Sequence, residues 1–293
     1  VIFLGFTGMK YRKLGLAIAF SPRLEALLHE SARLKKLWQA ELVLIHVGDT
    51  EKDAPETLST LLLKAGLSPE EVKVRWEKGD PGRRILAVCQ EEKIDLLMAG
   101  ALKKENLLQY YLGTIGRKIL RKAECSVLLL LQPSTHPKPF HEIVVNAEEG
   151  PYLHQTLTVA CELSKTEKPL WLHVVREIKM YGLTMTSSEH CSEEEYSQLK
   201  TDLVSQEINT VQKLLDPIPH EGLKINIKIL AGKSGFEVSQ FAIRKQADLL
   251  ITASPARKYS ILDRIFPHDQ EHIFADLPCN LLIVNPGKEA KRG

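Results

Sequence analysis

Short apolar runs alternate with longer amphipathic stretches along the whole chain. In the first half the runs cover residues 14–20, 42–47, 72–76, 94–100 and 127–131. They lack the apolar-polar alternation of a half-exposed strand, so each predicts a strand covered on both faces, as in a parallel sheet. The stretches between them, 24–39, 55–65, 83–92 and 114–122, predict helices. In the first of these, Leu24, Leu27, Leu28, Leu34 and Leu37 recur at helical spacing while Arg33, Lys35 and Lys36 take other faces. Strand-helix alternation of this kind implies right-handed crossovers in a doubly wound sheet. The second half repeats the order, with strands predicted at 143–145, 170–175, 223–230, 249–253 and 281–285. It departs in one long segment, 176–216, which is polar and rich in Gly, Thr and Ser at 181–188 and then predicts a helix over 193–215.

Matching words in the two halves point to a duplication. Ile94-Asp95-Leu96-Leu97-Met98-Ala99-Gly100 returns as Ala247-Asp248-Leu249-Leu250-Ile251-Thr252-Ala253, and Gly79-Asp80-Pro81-Gly82 as Gly232-Lys233-Ser234-Gly235. Cys125-Ser126-Val127-Leu128-Leu129 returns as Cys279-Asn280-Leu281-Leu282-Ile283. Near each start, Leu44-Ile45-His46-Val47 resembles Trp171-Leu172-His173-Val174, which would put His46 and His173 at equivalent strand ends. Between the halves, Pro133, Pro137 and Pro139 interrupt a stretch with no apolar pattern, as a linker would. The expected organisation is a unit at 1–133 with an N-terminal extension at 1–12, a linker at 134–140, and a unit at 141–293 carrying the 176–216 insertion. Each unit is expected to be an α/β Rossmann-like domain, a five-stranded parallel sheet with helices on both faces.

Composition removes several function classes. A formal charge of +2 offers no clustered basic field for nucleic acid. No apolar run approaches the roughly 20 residues that span a bilayer, so no membrane partner is expected. Residues 1–9 lack the basic start and cleavage site of a secretion signal. Cys89, Cys125, Cys161, Cys191 and Cys279 are scattered and form no CxxC pair. That spacing argues against a disulfide framework and a zinc site, and predicts free thiols in a reducing, cytoplasmic compartment. His268 and His272 are four apart but have no further ligand pattern, so no metal site is expected. No Ser/His/Asp order or carboxylate pair suggests a catalytic residue, and the only activity left open is weak ATP hydrolysis.

The candidate chemistry lies after the fourth apolar run. Gly100-Ala101-Leu102-Lys103 is followed by nine residues and then Gly113-Thr114. A phosphate at the carboxyl edge of a parallel sheet needs small residues and free N–H groups at a helix N-terminus, which Gly100, Gly113 and Thr114 would supply. Lys103, Lys104, Arg117, Lys118, Arg121 and Lys122 stand against Glu105 alone in this stretch, a balance that favours an anion. A merely solvated helix face accounts equally well for 117–122.

This motif, the His-Val words and the Cys125 and Pro278-Cys279 entries to the last strands resemble the universal stress protein family in its tandem, two-domain form. In that family the fourth strand ends in Gly-x2-Gly-x9-Gly-Ser/Thr; here Lys103 replaces the second glycine. The resemblance implies an adenine nucleotide alpha hydrolase-like fold and a stress-related nucleotide-binding or signalling role. It implies ATP or another adenine nucleotide in the first unit, with nucleotide contacts at Val47, Gly100, Lys103, Gly113 and Thr114. It also implies that 127–131 and 281–285 pair within an intramolecular pseudo-dimer, and it leaves a homodimer open. The family's aspartate after the first strand falls on Ala19, while Asn146-Ala147-Glu148 falls nearby in the second unit. Lys103 either contacts a phosphate or plugs the site.

The second unit answers differently at the same positions. Ala253 stands for Gly100, Ala256 for Lys103, and Phe266-Pro267 for Gly113-Thr114. Proline offers no N–H and phenylalanine crowds a phosphate, so no phosphate is expected there. Gly232-Lys233-Ser234 resembles the end of a P-loop, but Ile227 occupies the required glycine position. The alternative function is a scaffold or a small-ligand or partner-binding protein, with both nucleotide sites degenerate and 176–216 as the working element.

Overall fold

The computed structural model describes residues 11–103, 110–111, 113–178, 193–231, 236–254 and 276–285. The first half runs β1 (Lys13–Ile18), α1 (Leu24–Trp38), β2 (Glu41–Val47), α2 (Ala54–Lys64), β3 (Val72–Glu77), α3 (Pro81–Glu91) and β4 (Leu96–Gly100). The short strands β5 (Leu102–Lys103) and β6 (Tyr110–Tyr111) follow, then α4 (Thr114–Lys122) and β7 (Ser126–Leu130). The second half runs β8 (Glu142–Asn146), α5 (Leu153–Glu167), β9 (Trp171–Ile178), α6 (Glu193–Leu215), β10 (Ile225–Ala231), α7 (Phe236–Arg244), β11 (Leu249–Ala253) and β12 (Asn280–Val284).

The main strands form one ten-stranded sheet in the order β10-β9-β8-β11-β12-β7-β4-β1-β2-β3. Each half is a five-stranded parallel array with the same internal order, and the arrays meet where β7 and β12 pair antiparallel. At that seam Leu129 faces Leu281, Leu128 faces Leu282, and Val127 faces Ile283. Side-chain amides pin its ends: Asn280 Oδ1 accepts from the Leu131 amide at 2.9 Å, and Asn285 Nδ2 donates to the Ala123 carbonyl at 2.7 Å.

Both sheet faces are covered, which explains the unalternated runs. Leu42 and Leu44 point to a core shared with Leu28 of α1, Leu58 of α2, Leu157 of α5 and Val211 of α6. Val43 and Ile45 point to a second core with Val88 of α3, Leu120 of α4 and Val238 of α7. Each core contains residues of both halves.

The repeated aspartates act as fasteners. Asp95 Oδ2 accepts from the backbone amides of Arg12 and Lys13, both at 2.9 Å. Asp248 Oδ2 does the same for His141 at 2.7 Å and Glu142 at 3.0 Å. Each ties the start of its half's first strand to the start of the fourth.

The strand register corrects one expectation. Leu14 pairs with Leu96 and Ile143 with Leu249, so Leu14 and Ile143 are counterparts. Leu14 faces Leu42, and Ile143 faces Leu172. Counting along the strands, His46 corresponds to Arg176 and His173 to Val43, so the two histidines are not equivalent. An odd shift along a strand reverses the face, which puts His46 on the α1 and α2 side and His173 against Phe241 of α7. The short His-Val word slid because several apolar neighbours match in either frame. By the same count Glu148 is the counterpart of Ala19. Among the described residues no helix is long and apolar enough to cross a membrane.

Candidate functional site

β1 and β4 are neighbours, yet the chain leaves them toward opposite faces. From β1 it enters α1 on one side; beyond β4 it reaches α4 on the other. Such a divergence opens a crevice at the carboxyl edge of the sheet, where ligands of open α/β folds sit.

Gly100 is the last residue of β4, and a Cβ there would stand 3.3 Å from Leu27 Cδ1 of α1. Its smallness therefore serves helix packing as well as access. Gly113 is the N-cap of α4 at φ −70° and ψ 176°, an extended conformation open to any residue, and its helix has no side-chain cap. Thr114 is the exposed first residue of that helix. The first N–H groups of a helix lack intrahelical acceptors, so this end can hold an anion. Val47 ends β2 and packs toward the α3 side, two strand spacings or roughly 10 Å from β4 across β1. Lys103 ends β5, paired through its backbone with Tyr110 of β6; its side chain lies outside the described part. Lys104, the 181–188 and 232–235 segments, Ala256, Phe266 and Pro267 also lie outside the described residues. The two-strand β5/β6 pair inside the motif spacing was not legible in the sequence.

One cation on this rim carried no motif. Arg23, in the turn from β1 to α1, donates through its guanidinium to the carbonyls of Ala101 and Leu131, beyond the ends of β4 and β7. Its only signal was a lone arginine just past the first strand. Conversely, Lys118 of the basic stretch is already engaged, with Nζ 2.6 Å from Asp80 Oδ1. Asp80 also caps α3, accepting from the Arg83 amide at 2.8 Å. The Lys118 ammonium, then the Arg83 amide, hold the Asp80 carboxyl below its ordinary range. A Cβ on Gly82 would stand 2.8 Å from Lys118 Cδ, so the Gly79-Asp80-Pro81-Gly82 word builds a clamp between α3 and α4.

The histidines differ in satisfaction. His173 Nε2 donates to Glu142 Oε2 at 2.9 Å, and its Nδ1 accepts from Asn226 Nδ2 at 2.9 Å. Desolvation outweighs the carboxylate and lowers the His173 pKa, consistent with a neutral structural ring. His46 has Nε2 3.5 Å from the Asp49 carbonyl and a buried Nδ1 without a hydrogen-bond partner. Its ring meets the Phe20 and Trp76 rings edgewise, with both centroids 5.4 Å away. At the counterpart positions of the second half, Arg176 pairs with Glu149 and, at 2.7 Å, with Glu207 of α6. Cys89, Cys125, Cys161 and Cys279 are buried free thiols. Among the described residues no His, Cys, Asp and Glu cluster could hold a metal.

The fold and its rim define a tandem, Rossmann-like α/β protein. Residues 10–130 match the model of the universal stress protein family. The family match covers part of the first half-molecule and stops before the second half. Solved structures carry the fold across both halves. A functionally unknown protein from Pseudomonas aeruginosa PAO1 is 18% identical with a TM-score of 0.68, over 94% of this chain and 92% of that one. A universal stress protein from Archaeoglobus fulgidus DSM 4304 is 13% identical with a TM-score of 0.68, over 94% and 98% of the two chains. No curated protein matches the sequence.

Proposed function

We propose that the first half binds an adenine nucleotide in the crevice between β1 and β4, and that the protein is a nucleotide-responsive binding or signalling module of stress physiology. The observation that supports this reading most is the uncapped N-terminus of α4 at Gly113 and Thr114, opening on the same rim where Arg23 is tied down. Fixed amides stabilise phosphate without reorganising, and the Arg23 guanidinium adds a positive field on that rim while it holds the Ala101 and Leu131 carbonyls. The adenine part rests on the family match of residues 10–130, with Val47 toward the base and Gly100 and Lys103 toward the phosphates. Ala19 offers no carboxylate to a ribose, so phosphate contacts must supply most of the affinity.

Mass spectrometry of small molecules released from the purified protein is expected to find an adenine nucleotide, and calorimetry is expected to show ATP binding. Gly113→Asp puts a carboxylate against the phosphates and is expected to weaken that binding at least tenfold with the fold intact. No binding of ATP, ADP or AMP at millimolar concentration would discard the nucleotide reading.

A second reading, a partner-binding scaffold, is favoured by α6. Its described positions from 197 to 202 are all exposed, and Leu199 keeps 46% of its surface open. Under that reading, substitutions at Leu199 abolish capture of a cellular partner while nucleotide addition changes nothing.

A further inference from the structure

We infer a second ligand site in the first half: an aromatic platform of Phe20, His46 and Trp76 that takes a neutral planar heteroaromatic ring of bicyclic size, independently of the α4 phosphate cradle. The rings come from three consecutive positions along the carboxyl edge. Phe20 follows β1, His46 lies near the end of β2, and Trp76 faces His46 in register on β3. Phe20 and Trp76 have their planes 8° apart and centroids 6.2 Å apart, with the His46 ring meeting both edgewise. Although the two rings stack on each other, they remain 41% and 37% exposed, so both keep surface open to solvent.

The fold does not require this arrangement. The counterparts of Phe20 and His46 in the second half are Glu149 and Arg176, which close the same ground with an ion pair. A second feature is polar. His46 is only 7% exposed, yet its Nδ1 has no hydrogen-bond partner, a cost that an ordered water bridging to a ligand carbonyl would remove.

The geometry also selects the ligand's charge and separates the platform from the cradle. Val72 and Val74 share the α1 and α2 side with Trp76, whereas α4 packs on the other face. The charged residues of β3 are tied up in pairs: Lys73 and Arg75 with Glu92, and Glu77 with Arg75 and Arg84. What faces the ligand is therefore aromatic carbon, which favours stacking by an uncharged ring.

Caffeine, which has neither phosphate nor ribose, is the probe. The protein is labelled with 5-fluorotryptophan, and its tryptophans are Trp38, Trp76 and Trp171. The Trp76 fluorine signal is assigned by its loss in Trp76→Phe. Caffeine is expected to shift that signal saturably and leave the Trp38 and Trp171 signals in place. Phe20→Ala should weaken binding about tenfold, the usual order for one stacking ring, whereas Gly113→Asp should leave it unchanged. An unmoved Trp38 signal reports that the variant is folded; if it moves, Phe20→Leu replaces it, removing the ring and keeping apolar bulk. No saturable shift up to the solubility limit, or an equal shift without the Phe20 ring, overturns the proposal. Loss of caffeine binding in Gly113→Asp would also overturn it, by making the platform part of the cradle. Failure of ATP to bind leaves the caffeine result standing, so the two readings fail separately.

Discussion

At the residue scale, each half fastens its first strand with a single carboxylate that accepts two backbone amides, Asp95 in one and Asp248 in the other. Removing either would leave two N–H groups without their acceptor. Asp248→Ala is therefore expected to cost about 2 kcal/mol, read as a lower urea midpoint with unchanged slope. The repeat made both aspartates visible in the sequence, but their role was not, because the amides they bind lie about a hundred residues away. Glu92 is a second test. Lys73 at 2.8 Å and Arg75 at 2.7 Å, with Lys13 beyond, hold its carboxyl down to about 2. A carboxylate whose folded pKa is depressed adds stability above its unfolded pKa and loses it as pH falls toward the folded one. Glu92→Gln should thus be less stable than wild type at pH 7, with the gap closing between about pH 4.5 and 2. A gap constant over that window in urea titrations would contradict the ion-pair account.

At the element scale, legibility followed length and pattern. The helix at 114–122 was read with the bounds observed, and so was the one at 193–215, because amphipathic spacing persists over several turns. The five parallel strands of each half were legible because short, unalternated apolar runs between helices call for a sheet covered on both faces, whereas their order in the sheet came only from the structure. The β5/β6 pair is two residues per strand and leaves no period to read. Of the candidate site, the α4 terminus was legible and Arg23 was not, since its acceptors are carbonyls brought near only by the crossovers. Helix α6 lends itself to a direct measurement. Its last turns bury Val211 and Leu215, whereas its positions from 197 to 202 meet solvent. Opening free energy scales with such packing, so amide exchange is expected to be fast at 197–202 and slow at 211–215. Uniform protection along the helix would mean that its first turns are held by something on that face.

At the scale of the whole molecule, the halves are joined by more than a strand pair. Arg33 of α1 reaches Glu167 of α5, with Nη1 and Oε1 2.6 Å apart, and its guanidinium lies 4.9 Å over the Phe140 ring. Glu30 stands farther off, at 3.6 Å from the Arg33 guanidinium, and burial raises its pKa; the shorter contact is the one to Glu167. Glu167 also accepts the Phe140 amide at 3.3 Å, so one carboxylate ties the end of α5 to the approach of β8 and to the other half. Removing one member of a buried pair strands the other charge, at roughly 3 kcal/mol or more; replacing both by apolar groups can cost almost nothing. Glu167→Leu alone should therefore lower the denaturant midpoint strongly, and Arg33→Met with Glu167→Leu should recover most of that loss. Because both cores and the seam run through the two halves, each protein should unfold in one transition by both far-ultraviolet circular dichroism and tryptophan fluorescence. A Glu167→Leu protein that separates into two transitions would show that this contact couples the halves. A double variant no more stable than the single one would mean that the pair is needed for more than charge balance.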